Sequence, residues 1–230
     1  MRSPKRVSPK IGKWHQQIEV LEHQVMSLHH DRAMWRAIVD GLEEQADANR
    51  GVFLDHYTRM YVDASAIAVR RIASETTDDH AISLGRLLTD IGANCGLITQ
   101  KQFVARYEEP NDTEEWRQRA ARQQGEHDWM VLGGPGDALN AERVAEDLER
   151  LRSTAASVSG FADRTIAHID KRGVKDQPTF AELDRAVGTL GVVLGRYSVL
   201  VRGSQLAFYE PAIQLDWRSP FRRPVFEPWG

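Results

Sequence analysis

Phe161-Ala162-Asp163-Arg164-Thr165-Ile166-Ala167-His168-Ile169-Asp170-Lys171-Arg172 closes the longest uninterrupted helical pattern in the second half of the chain. Asn140 opens that pattern as an N-cap, because its short side chain can accept hydrogen bonds from the first free backbone N–H groups. Val144, Leu148, Leu151, Ala155, Val158 and Ala162 follow toward Ile169 in steps of four and three, which makes one apolar stripe. Outward from this helix the same spacing recurs three times. Ile18, Leu21, Val25, Leu28, Arg32, Trp35, Val39 and Leu42 predict a long first helix from Lys13. Phe53, Tyr57, Met60, Ala64 and Ile67 are the expected buried stripe of a second helix after Gly51, with Arg71 on the next position. Phe180, Leu183, Val187, Leu190, Leu194, Tyr197 and Val201 predict a last helix, opened by a Thr179–Glu182 capping box and stopped at Gly203.

Shorter pieces fill the middle. Leu84, Leu87, Leu88 and Ile91 predict a third helix ending at Gly92, and Phe103, Val104 and Tyr107 a short one. Pro110-Asn111-Asp112 reads as a break, Glu114 to Gln124 as a charged helical piece, and Gly133-Gly134-Pro135-Gly136 as a loop. That glycine run lacks the Gly-Lys-Ser or Gly-Lys-Thr of a phosphate loop. No strand-type alternation of useful length occurs. The fold expected is all-α: an antiparallel bundle of four main helices with short accessory helices. Residues 1–12 form a basic, proline-bearing flexible arm, 13–203 the bundle, and 204–230 a tail rich in proline and aromatic residues. Prolines at 211, 220, 224 and 228 bar a helix there, and the interleaved aromatics are expected to dock on the domain or on a second subunit.

The chemistry centres on the quoted stretch. At about 100° per residue, Arg164 and His168 lie about 40° apart, and both fall more than about 100° from the middle of the apolar stripe. An imidazole that titrates near neutrality can move a proton, and a guanidinium can hold a phosphate. The alternative is a solvated i,i+4 surface pair. Arg32, Arg71 and Arg172 are further candidates for RNA or phosphate contact. Arg32 stands in an apolar seam, so it needs a carboxylate, carbonyl or phosphate partner, or must reach the helix edge. Arg70 and Arg71 also suit the negative end of the second helix.

The stretch resembles the C-terminal signature of the HEPN superfamily, in particular its AbiU-type abortive-infection branch. Leu28-His29-His30-Asp31-Arg32-Ala33-Met34-Trp35-Arg36, Ser83-Leu84-Gly85-Arg86-Leu87-Leu88 and Pro178-Thr179-Phe180-Ala181-Glu182-Leu183-Asp184 are similar to that branch as well. The resemblance implies a helical bundle that dimerises and a metal-independent ribonuclease acting in phage defence or a toxin–antitoxin-type system. The family signature is an Arg, a polar residue, and a His four to six intervening residues after the Arg. His168 takes the histidine position and Asp163 the polar one, but Ala162 stands where the Arg belongs. Arg164, three intervening residues from His168, is the substitute, or the scaffold persists as a non-catalytic module for dimerisation or partner binding. RNA as substrate, and a cognate antitoxin or nucleotidyltransferase as partner, follow from the resemblance alone.

Composition narrows the rest. The 230 residues carry a net charge of −3, so any RNA contact has to come from a local patch. A single cysteine, Cys95, rules out an internal disulfide and a cysteine-based zinc site. None of the eight histidines follows a Glu or Asp by three, which argues against a di-metal site of the bundle type, and no cofactor is expected. No apolar run approaches the roughly 20 residues that span a bilayer. A cytoplasmic protein is expected.

Overall fold

Leu183, Ala186, Val187, Leu190, Val193, Leu194, Tyr197, Leu200 and Val201 are all buried, so the last long helix is apolar nearly all round and forms the centre of the molecule. The computed structural model describes residues 8–43, 50–108, 114–167 and 177–204. Its helices are α1 (Pro9–Glu43), α2 (Arg50–Ala73), α3 (Leu84–Gly92), α4 (Gln100–Val104), α5 (Glu115–Leu132), α6 (Ala141–Phe161) and α7 (Phe180–Arg202). A 3₁₀ turn spans Cys95–Leu97 and a π-helical turn spans Ala162–Ala167. No strand occurs among the described residues; Thr99 and Ala138 form an isolated antiparallel bridge. The described chain is an all-α bundle of four long helices with short accessory ones.

Long-range contacts fix the directions. His15 near the start of α1 donates from Nε2 to the Val201 carbonyl at 3.0 Å, and Arg36 near its end pairs with Asp184 at the start of α7. α1 and α7 are therefore antiparallel. Asp147 of α6 meets Arg196 and Tyr197 of α7, while Arg152 and Asp163 meet Glu75 and Arg70 beside and on α2. α6 thus runs against both α7 and α2. Four long helices, α1, α2, α6 and α7, enclose one core.

The ends are built by local chemistry. Asn140 accepts from the N–H of Glu142 at 2.7 Å, and Thr179 and Glu182 cap each other's backbone in a complete capping box. Gly203 takes φ +77°, a left-handed backbone that favours glycine, and stops α7. The last carbonyls of α7 accept from Arg106, whose Nη1 donates to Leu200 at 3.0 Å and Nη2 to Val201 at 3.0 Å. Gly85 lets α3 close on the end of α2: a Cβ there would stand 2.5 Å from the Ala73 carbonyl oxygen.

Several expectations need correction. α1 starts at Pro9, ahead of Lys13, with the Gly12 N–H bonded to the Ser8 carbonyl at 3.1 Å. α5 runs on to Leu132, because Trp129 is fully buried and packs against Phe103. The largest difference concerns α2. Phe53, Met60 and Ile67 are 42%, 57% and 44% exposed, whereas Tyr61, Val62, Ser65, Ala66, Val69 and Ile72 are buried. Both registers have helical spacing, but the expected one leads to Arg71, which would enter the core without a partner. The other continues in apolar residues to Ile72 and is the one buried. Phe180 also stays 44% exposed, stacked on Trp35 with ring centroids 4.6 Å apart. The expected breaks at Glu43 to Arg50 and Pro110 to Asp112, the Gly173 to Gln177 turn and the tail from Gln205 lie wholly or mostly outside the described residues.

Candidate functional site

Val144, Leu151, Ala155, Val158, Phe161 and Ala162 anchor the inner face of α6 and the turn that follows. From Ala162 to Ala167 the backbone is π-helical, closing hydrogen bonds to the fifth residue rather than the fourth. The extra residue per turn changes the angle between successive side chains. The 40° separation expected of Arg164 and His168 assumed α-helical geometry, which ends at Phe161. His168 and Arg172 lie outside the described residues.

What the turn presents is clear for its first residues. Phe161 and Ala162 remain 3% and 1% exposed, Asp163 is half-exposed and Arg164 is exposed. Asp163 is ion-paired through Oδ1 with Nε of Arg70, in the last turn of α2. Both side chains are 50% exposed, so the pair contributes only about 0–1 kcal/mol to stability. The Arg164 guanidinium lies over Gly160, one turn back, its Nη2 3.4 Å from where a Cβ of that residue would be. The site of the missing signature arginine, Ala162, faces the core and cannot carry a surface cation.

Arg32 belongs to a second cluster. It is half-buried, and its Nη2 donates to Nδ1 of buried His29 at 3.1 Å. That bond makes Nδ1 an acceptor and puts the neutral ring's proton on Nε2. Beside it Trp35 stacks between Phe180 and Tyr61, at 4.8 Å from the latter with an interplanar angle of 7°, and donates to Thr58 Oγ1 at 3.3 Å. Burial, followed by the negative charge of Asp184, pushes the Tyr61 hydroxyl up to about 12. Tyr61 and Arg70 are nine residues apart on α2, about 13 Å of helix rise. Arg32 is therefore not brought to the Asp163 carboxylate. Arg71 is exposed at the end of the outward apolar stripe of α2.

Beside the Trp35 cluster a hollow of about 530 Å³ is lined by Thr58, Arg59 and Val62 of α2 together with Thr179 and Phe180. Arg70 was legible in the sequence only as a cation suited to the end of α2. Its pairing with Asp163 joins opposite halves of the chain and leaves no local signal. Among the described residues, no three His, Cys, Asp or Glu side chains gather as they would around a metal ion. No helix there is long and apolar enough to cross a membrane.

An all-α bundle whose penultimate helix ends in this polar turn is the architecture of a HEPN protein. A family model described as AbiU2, of the HEPN group, matches residues 11–219, and the chain belongs to that family. No curated protein and no solved structure matches it.

Proposed function

We propose that this HEPN module is a metal-independent endoribonuclease of a phage-defence or toxin–antitoxin-type system, active as a homodimer. The supporting observation is the π-helical turn that holds Phe161 and Ala162 in the core and turns Asp163 and Arg164 to the surface beside Arg70. Single π-helical turns occur frequently at functional sites. In this reading His168 takes the proton of a ribose 2′-hydroxyl, whose oxygen attacks the adjacent phosphorus. The bond to the 5′ oxygen breaks, that oxygen gains a proton, and the products are a 2′,3′-cyclic phosphate and a 5′-hydroxyl. Arg164 holds the phosphate as charge builds on it, and Asp163 orients its neighbours. The test is His168→Ala, with cleavage of a labelled RNA and thermal melting as readouts. Cleavage is expected to vanish with the fold retained, and to survive chelators in the wild type. Undiminished cleavage by the variant sinks the assignment.

A second reading is a non-catalytic module that binds another copy or a partner such as a cognate antitoxin or nucleotidyltransferase. Its support is the alanine at 162 and the outward apolar stripe of α2. A wild type that leaves every RNA tested intact while forming a stable complex favours this reading.

A further inference from the structure

We infer that Arg70, carried on α2, is a second phosphate-contacting guanidinium of the signature site, set in position by Asp163. The inference rests on the ribonuclease reading and extends it to a residue from the other half of the chain.

Three observations lead there. The first is anchoring at both ends. On the side of α2 next to Arg70, Ala66 and Val69 are fully buried. Across from it, Phe161 and Ala162 bury the backbone that carries Asp163. Two rigid elements thus fix the roots of the two side chains. The second is the mode of pairing. Asp163 engages Arg70 at Nε, at the near edge of the guanidinium plane. A guanidinium also carries a planar fork of two Nη groups, which matches two phosphate oxygens. The carboxylate meets the group at Nε and so orients it. The third is exposure. At 50% for each side chain, the pair adds little to stability yet stays accessible to a phosphodiester.

Geometry also limits the alternatives on this turn. Ala162 is 1% exposed, so nothing at that position reaches solvent, and the Arg164 guanidinium lies along its own helix over Gly160. Arg70 reaches the turn from a different element, α2, and meets it at Asp163. A phosphate contacted by both Arg70 and Arg164 would have the developing charge of the transition state shared between two guanidinium groups.

The experiment compares wild type, Arg70→Lys, Arg70→Ala, Asp163→Asn and Arg122→Ala on one RNA substrate. It records kcat, KM, thermal melting and the salt dependence of RNA binding. Lysine keeps the charge and can still pair with Asp163, but it loses the fork. Arg70→Lys is expected to lower kcat at least tenfold with melting unchanged, and Asp163→Asn to lower it less. Arg70→Ala should also reduce the slope of log K against log salt by about one contact. Arg122 pairs with Glu126 on α5 and controls for loss of one surface cation. Wild-type rates from Arg70→Lys and Arg70→Ala, with cleavage still dependent on His168, overturn the inference and leave the ribonuclease reading intact. An equal loss from Arg122→Ala overturns it as a general charge effect. If wild type does not cleave, the ribonuclease reading fails, and an Arg70→Ala salt slope equal to wild type then removes Arg70 from RNA contact altogether.

Discussion

Ala162 shows how one methyl group can decide whether a signature is repairable. At 1% exposure, it packs in the core beside Phe161 and Val158. An arginine there must either overpack the core, at about 1–3 kcal/mol, or bury a charge at further cost. Ala162→Arg is therefore expected to lower the melting temperature by about 5–10 °C, using the roughly 2–4 °C per kcal/mol of domains this size. It should add nothing to wild-type cleavage, because the new guanidinium starts from a buried position, and thermal melting with an RNA assay checks both. Asp90 offers a test of a different kind. It accepts from Lys10 Nζ at 2.9 Å and Trp14 Nε1 at 2.8 Å. Although burial pushes its pKa up, these hydrogen bonds and the nearby lysines bring it below the ordinary 3.8. The folded value is thus the lower one, so its stabilisation is present above pH 3.8 and is lost as pH falls through the folded value. Asp90→Asn is expected to melt below wild type at neutral pH, with the gap closing on acidification below pH 3.8. A gap that stays constant down the acid limb would show that Asp90 titrates as it does in the unfolded chain.

Between helices, the contact most exposed to mutation is the polar clasp of α6 on α7. Asp147, 4% exposed, accepts from Arg196 Nη1 at 2.5 and 2.6 Å and from the Tyr197 hydroxyl at 3.1 Å. Burial, then the charge of Asp147, pushes the Tyr197 hydroxyl far up, so it stays a donor. Asp147→Ala leaves a buried hydroxyl and a mostly buried guanidinium without their acceptor, at a cost of about 3 kcal/mol. Melting should fall by about 6–12 °C, whereas a fall within 2 °C would mean that water replaces the carboxylate. This level is also where sequence served best. The stripes of α6 and α7, the Asn140 cap, the capping box and the Gly203 stop could each be read within one or two helical turns, because each depends on neighbours in the chain. The buried face of α2 could not. Two registers fitted the spacing, and the choice depends on how α1, α6 and α7 surround the helix. The π-helical turn was equally hidden, since nothing in Ala162 to Ala167 distinguishes a fifth-residue closure from a fourth. The Arg70–Asp163 pair needed two distant segments to be brought together before it could be seen.

Among the described residues of the bundle, α2 carries a second, outward apolar stripe, and that bears on assembly. The outward stripe of α2 runs from Phe53 through Tyr57, Met60 and Ala64 to Ile67, about 21 Å of helix in alternating steps of four and three. That spacing is the one by which helices pair side by side. A two-fold axis crossing α2 near Val62 would set Met60 against Ala64 of the partner subunit, a large side chain opposite a small one. Phe53 would then meet the guanidinium of Arg71 of the partner subunit, a favourable cation–π geometry. The stripe alone falls short of the ~800 Å² per partner of a standard interface, so a concentration-dependent dimer is expected. Arg70 lies about one turn beyond Ile67, so with that axis the two Arg70–Asp163 pairs fall at opposite ends of the contact, about 24 Å apart along it. Met60→Glu and Ile67→Glu should give monomers by sedimentation velocity at concentrations where wild type is dimeric. Their monomer melting temperature should barely change, since both positions face outward and surface substitutions stay within about 0.5 kcal/mol. A wild type that remains monomeric well into the micromolar range, or charged variants that still dimerise, would detach the stripe from assembly. If the monomeric variants also lose RNA cleavage while keeping their fold, the dimer is the active unit.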